Sequence, residues 1–344
     1  MLLAFQILGG IIVFSLLVVI HELGHFWAAK SFNIRVHEFA VGMGPAIWKK
    51  QKGETLYSLR CIPLGGFCSM GEDESSDSER AFVNASGWKK ITVLAAGGIF
   101  NLIAGLLLCF VFVSSQPTID IPTVTNFAPE STLQQAGVQI GDEVISIDGK
   151  RVHITQAVNF RMQIEQNEKT IVLSRNGERY TVKATPYLND DGMYILGFVT
   201  GKLENTAWNT IKYGWHQFTF FIDQIAETLT RLLTGRLSLR QLSGPVGIAS
   251  VIGEAVGDVV VKANWWFLGY IFILITINLG IFNLIPFPAL DGGRIFFVLV
   301  NMLLPKGKKL KTEHEGYVHA IGFALLIGLI IVVTGFDINN LMNK

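Results

Sequence analysis

Long apolar runs alternate along the chain with polar, turn-rich stretches. Four runs suffice to cross a bilayer, which takes about 20 apolar residues: about 3–29, 90–114, 265–287 and 316–335. Two of them are not plain anchors. The first has no charged side chain from Met1 to Ile20, then reads His21-Glu22-Leu23-Gly24-His25 before apolar residues resume at Phe26. The third ends in a proline-broken stretch with Asn283, Pro286, Pro288 and Asp291. Residues 30–70 mix glycine with apolar groups. Gly42-Met43-Gly44-Pro45 is a turn signal, and Thr55 to Ile62 is strand-like, ending at Pro63-Leu64-Gly65-Gly66. So apolar a stretch predicts a re-entrant β-hairpin that lines a cavity, with a loop on the membrane surface as the plainer alternative. Residues 72–80, acidic and polar, read as a linker.

Residues 118–188 predict a small β domain. Glu143–Ile147 and Thr170–Leu173 are β-type runs between turn residues. Gly137 to Gly149, with an Asp148-Gly149 turn, is similar to the PDZ signature, and Pro129–Gly137 fits the short helix before it. Such domains bind extended peptides along a sheet edge; the alternative is an unrelated β domain. Over 204–233, Trp208, Ile211, Trp215, Phe218, Ile222, Ile225, Leu229 and Leu232 recur at alternating three and four. This predicts one amphipathic helix. Its Lys212, His216, Asp223, Glu227 and Arg231 exclude a membrane crossing, so it should lie on the outer membrane surface or pack on the spans.

Composition agrees. Half the residues are apolar, mean hydropathy is +0.42, and charged residues are 16% of the chain, against roughly 25% in a soluble domain. A net charge of +1 gives no indication of nucleic-acid binding. Cys61, Cys68 and Cys109 suggest neither a disulfide framework nor a zinc knuckle. No Lys or Arg precedes Lys30, so a cleaved signal peptide is not expected.

Basic residues set an orientation. Residues 30–90 carry nine Lys and Arg, and 288–315 carry five, namely Arg294, Lys306, Lys308, Lys309 and Lys311. The expected order is N-terminus out, 30–90 in, 115–264 out, 288–315 in and C-terminus out. His21, His25 and Asp291 then fall at one depth, toward the cytoplasmic side.

Ionisable groups at that depth are costly and seldom kept without a function. Histidines at i and i+4 share a helical face, so both imidazoles can reach one Zn²⁺, with the intervening glutamate as general base. The alternative is a chance match, which seldom falls in an apolar helix. His314 and His319 are five apart and turned away from each other on a helix; they read as a solvated helix start.

His21–His25, Asn283-Leu284-Ile285-Pro286-Phe287-Pro288-Ala289-Leu290-Asp291-Gly292-Gly293 and one inserted PDZ-like domain together resemble the site-2 protease family, specifically its bacterial RseP-type intramembrane metalloproteases. Gly42–Pro45, Pro63–Phe67 and Ser243–Ile248 also match. The resemblance implies an α-helical polytopic membrane protein with four transmembrane helices, a re-entrant β-hairpin and an extracytoplasmic PDZ domain. The expected division is 1–117 (two helices and the β region), 118–190 (PDZ), 191–263 (amphipathic helix and the Ser-Gly-Pro-Val-Gly segment) and 264–344 (two helices). It implies one zinc on His21, His25 and Asp291, Glu22 as catalytic base, and substrate contacts from Asn283, Pro286, Pro288 and Asn101. Gly98 stands where the family usually has proline. Expected substrates are transmembrane proteins such as anti-sigma factors or remnant signal peptides, cut in a bacterial cytoplasmic membrane after an upstream site-1-type protease. The PDZ domain would gate or recruit them. A scaffold with a structural metal is a second reading, opposed by intact Glu22. A tethered protease of soluble proteins is a third, opposed by the apolar flanks of the zinc helix.

Overall fold

The computed structural model describes residues 2–71, 78–164, 166–190, 192–305, 310 and 312–342. Most of the acidic linker, and Lys306, Lys308, Lys309 and Lys311 of the charge argument, lie outside them. The chain forms two compact units, one of residues 1–105 with 228–344 and one of 106–227.

The first unit opens with α1 (Leu2–Ser31). It is apolar around its whole circumference, as a helix with no aqueous face must be. It stops where Asn33 takes a left-handed φ of 59° and the Ile34 N–H bonds back to the Ala29 carbonyl at 2.9 Å. Strands β1 (Glu38–Lys52) and β2 (Thr55–Ser69) follow as an antiparallel pair turning at Gly53-Glu54. Gly42-Met43-Gly44-Pro45 does not make that turn. It lies within β1, where Gly42 and Gly44 have φ of 86° and 80° and the pairing shifts register. As a result Glu38–Val41 has neighbours on both sides, Leu56–Leu59 and Gly66–Ser69. Phe39 and Cys68 pack with Ala29, Val36 and Val93, which seats the sheet on α1 and on α2 (Gly87–Ser114).

In the second unit, β3 (Thr118–Phe127), a one-turn α3 (Thr132–Gln135), β4 (Glu143–Ile147), β5 (Lys150–Arg151), α4 (Thr155–Ile164), β6 (Lys169–Arg175) and β7 (Glu178–Ala184) build the β domain. The short pair β8 (Tyr187–Leu188) and β9 (Tyr194–Ile195) leads to β10 (Phe198–Glu204). Sheet order is β10-β3-β4-β6-β7, with β5 on β4, so the sheet continues past residue 190. Asp148 and Gly149 both have positive φ, 49° and 76°, as the tight turn between β4 and β5 requires. Val124, Leu133, Val144, Ile147, Ile171 and Leu173 fill the core. The Arg175 guanidinium and Tyr180 hydroxyl hold the buried Asp142 carboxyl down at about 2.

Helix α5 (Ala207–Leu233) belongs to the same unit for most of its length, and its apolar stripe divides. Phe218 and Ile225 are buried, and Tyr213 and Phe220 enter the sheet core, whereas Trp208, Ile211 and Trp215 stay exposed. The Asn205 amide ties the start of α5 to the end of α2 by donating to the Val113 and Gln116 carbonyls at 2.7 and 2.8 Å.

Back in the first unit, α6 (Pro245–Lys262), α7 (Trp265–Leu284), α8 (Asp291–Leu303) and α9 (Thr312–Met342) complete the chain. Gly244 and Pro245 open α6, and proline at the first helical position needs no N–H. The buried Asp337 carboxylate of α9 accepts from the Gly244 and Gly247 N–H groups at 3.2 and 2.7 Å. Val256 and Ile252 of α6 face Gly9 and Gly10 of α1, and both pack on Ile271 of α7. Among the described residues five helical stretches, not four, are long and apolar enough to cross a membrane; the additional one is Leu239–Lys262. The sequence pattern passes over it because Glu254 and Asp258 interrupt the run. Helix α7 runs antiparallel to α2: a Cβ on Gly98 would meet Gly280 and Leu284, and one on Gly105 would meet Ile277.

Candidate metal centre

The site forms where α1, α2 and the start of α8 converge. His21 and His25, one turn apart on α1, are both buried. Their Nε2 atoms lie 3.1 Å apart, and Asp291 Oδ2 lies 3.1 and 3.3 Å from them. All three ligand atoms fall within 4.8 Å of one another. Two ligands at about 2.0–2.1 Å from a tetrahedral zinc stand roughly 3.3 Å apart, so the donor set fits that ion. His25 Nδ1 lies 2.8 Å from the Val93 carbonyl of α2. This bond places the proton on Nδ1 and leaves the Nε2 lone pair free for a metal.

Glycine makes the convergence possible. A Cβ on Gly97 of α2 would lie 2.5 Å from His25 Nε2 and 2.6 Å from His21 Cε1. A Cβ on Gly24 would strike the Ala96 carbonyl. Asp291 is the first residue of α8, behind a connection in which Pro286 and Pro288 end α7 at Leu284. Gly292 and Gly293 let α8 fold back on that connection, since side chains there would strike the Ile285 and Phe287 carbonyls.

Glu22 is half-buried beside His21, and its Cγ is 3.8 Å from where a Cβ on Gly66 of β2 would sit. Asn283 lies in the last turn of α7, and Pro286 and Pro288 lie in the connection to Asp291. Asn101, one turn beyond Gly97, is wholly buried, and its amide has no hydrogen-bond partner among the described residues. Sequence reasoning passes over Gly97, Val93 and Asp337. Their signals are a small residue, a main-chain carbonyl and a lone acid in an apolar helix.

His314 is exposed in the first turn of α9, as a solvated helix start requires, but His319 is not part of it. His319 Nδ1 accepts a hydrogen bond from the Ala289 N–H at 2.9 Å, and its ring packs against Phe297.

A buried His-His-Asp cluster on apolar helices, with a glutamate between the histidines, is a donor set that fits a zinc metalloprotease of the membrane. The comparisons agree. The model of Peptidase family M50 matches residues 9–329. A Clostridium acetobutylicum protein described as "Putative zinc metalloprotease" is 37% identical over 97% of both chains. "Zinc metalloprotease RasP" of Geobacillus kaustophilus is 30% identical, again over 97% of both. A solved PDZ domain of an SdrC-like protein from Listeria monocytogenes has a TM-score of 0.21 and 12% identity, covering 23% of this chain and 84% of its own; so distant a likeness bears on nothing further. The chain belongs to peptidase family M50, the site-2 proteases, and is a zinc metalloprotease of the membrane.

Proposed function

We propose that His21, His25 and Asp291 hold one zinc and that Glu22 is the catalytic base for hydrolysis of peptide bonds within or near transmembrane segments. The observation that carries the assignment is the convergence of three ligand atoms within 4.8 Å among apolar helices. Bound zinc supplies Lewis acidity toward a scissile carbonyl and acidifies water. Glu22 takes the proton of the attacking water and returns it to the leaving amine. Its partly buried position, beside His21 and close to Gly66 of β2, puts it within reach of both. Pro286 and Pro288 leave main-chain groups without helical partners, and these, with Asn283, pair with an unwound substrate. Asn101 brings an uncommitted amide to the same face of α2 as Gly97, from which it also contacts substrate.

Substrates are transmembrane proteins such as anti-sigma factors or remnant signal peptides, trimmed beforehand by another protease. The membrane is the bacterial cytoplasmic one, the β domain between α2 and α5 is an extracytoplasmic PDZ domain, and the β1–β2 hairpin is re-entrant. In support, Met43, Ile47, Trp48 and Ile62 leave much apolar surface on the hairpin exposed.

We also favour four crossings over five. Helix α2 runs antiparallel to α7 and also to α1, because Phe32 of α1 meets Trp88 while His25 meets Val93. Helices α1 and α7 therefore point the same way. A full crossing by α6 between α2 and α7 would reverse α7, so α6 enters and leaves on one side.

Two variants test the site. Asp291→Ala should lose zinc and activity together. Glu22→Gln should keep about one zinc per chain and lose at least about 10²-fold in turnover, since an amide cannot accept the proton. Full zinc in the first, or substantial cleavage of a transmembrane substrate by the second, would overturn the corresponding role.

A further inference from the structure

The connection that presents Asp291 contains a strained residue. Ala289, two positions before the ligand, has φ of 78°, a left-handed conformation that a residue with a side chain rarely takes. It persists only where the surroundings hold it. The contact that holds it comes from another helix: the Ala289 N–H donates to His319 Nδ1 of α9 at 2.9 Å. On the far side of the ring, Nε2 faces the Glu315 carboxylate at 3.8 Å. A carboxylate there favours the proton on Nε2 and keeps Nδ1 an acceptor. Phe297 of α8 lies against the ring, with centroids 5.5 Å apart. One turn further along α9, Gly322 passes so close to Pro288 that a Cβ would strike it. Helix α9 thus grips the connection at two adjacent residues, by one hydrogen bond and one close approach.

We propose that His319 is a positioning residue, whose imidazole locks the turn at Ala289 and so fixes where Asp291 enters the metal centre. The role rests on Asp291 as a ligand and extends that reading to the groups that orient it. Outer partners of metal ligands commonly matter by about 10- to 100-fold in metal affinity or activity. The lower end is expected here, because His319 acts through the main chain.

The test uses the full chain, purified and loaded with zinc, and follows zinc release to a chelator beside cleavage of a transmembrane substrate. His319→Ala should release zinc about tenfold faster and lose about tenfold in kcat, with KM near the parent value. His319→Asn, whose side-chain oxygen can stand where Nδ1 stands, should recover most of both. Ala289→Gly should partly rescue His319→Ala, because glycine takes the left-handed conformation without help. If His319→Ala does not purify in folded form, His319→Phe keeps the packing on Phe297 and removes the acceptor, and the same comparison with His319→Asn decides. Zinc release at the parent rate in the acceptor-less variant overturns the proposal, as does an Asn variant no better than it. Asp291→Ala, run alongside, separates the two readings: full zinc there would remove Asp291 from the ligand set, whereas parent-like release in the His319 variants would remove only the role of His319.

Discussion

At the scale of single residues, the metal centre depends as much on a missing side chain as on those present. Gly97 lets α2 lie against both imidazoles, and a methyl group there would stand 2.5 Å from His25 Nε2. Gly97→Ala must therefore push α1 and α2 apart or rotate an imidazole. A displacement of about 1 Å at such a site costs on the order of 10²-fold in rate. The variant should insert normally, hold less zinc and cleave about 10²-fold more slowly, although no ligand has been touched; parent-like zinc content and turnover would show that the helices relax without disturbing the ligands. The two histidines are legible in the sequence because a pair at i and i+4 in an apolar run has little use there apart from holding a metal. Gly97 is not, because small residues are common wherever membrane helices pack. His319 misleads for a different reason: its partner is a main-chain N–H thirty positions away in sequence, which no spacing rule can reveal.

At the scale of elements, α5 and α6 show where periodicity informs and where it misleads. The stripe on α5 marks a helix, but only its middle faces protein. Its start exposes Trp208, Ile211 and Trp215, so one sequence pattern serves two surroundings. Where α5 meets the β domain, the His216 and His153 rings stack with centroids 4.2 Å apart. Burial, with repulsion from His153 and Lys212, holds the His216 imidazole down at about 4. The packed form thus disfavours the proton, and as pH falls the undocked form binds it first. The packing is at full strength above about pH 6.5, the ordinary histidine value, and weakens as pH falls from there toward about 4. Amide exchange along α5, corrected for intrinsic rates, should accelerate between about pH 7.5 and about pH 5. His216→Phe should flatten that dependence, and an equal slope in both proteins would assign it to another group. Helix α6 escapes the sequence pattern as a membrane element because its two acids break the apolar run. Its first N–H groups lie in an apolar setting, and the Asp337 carboxylate satisfies two of them. That acid lies far along another helix, so nothing in the local sequence hints at the pairing.

At the scale of the molecule, the directions of α1, α2 and α7 fix which ends share a side. If the basic residues of 30–90 lie inside, as their charge predicts, a single cysteine at Lys50 in an otherwise Cys-free chain should resist an impermeant thiol reagent in intact cells. One at Lys150 should react, and one at Gln241, before α6, should react as readily as one at Asn264 after it. Opposite behaviour at Gln241 and Asn264 would mean that α6 crosses and that the four-span arrangement is wrong. The overall order of elements is legible because bilayer thickness imposes a length that runs of sequence either meet or miss. Contacts between those elements are not, because they depend on small residues and main-chain groups. The same arrangement also governs timing. His25 and Asp291 are 266 positions apart (291 − 25), so the proposed donor set is incomplete until the acid has been made. At roughly 5–20 residues per second, a growing chain carries its two histidines in the bilayer for roughly 15–50 s before the acid emerges from the ribosome. With that donor set a half-made copy is inert, and the membrane proteins being inserted around it are safe from a protease that is armed only once Asp291, in the last sixth of the chain, has been translated.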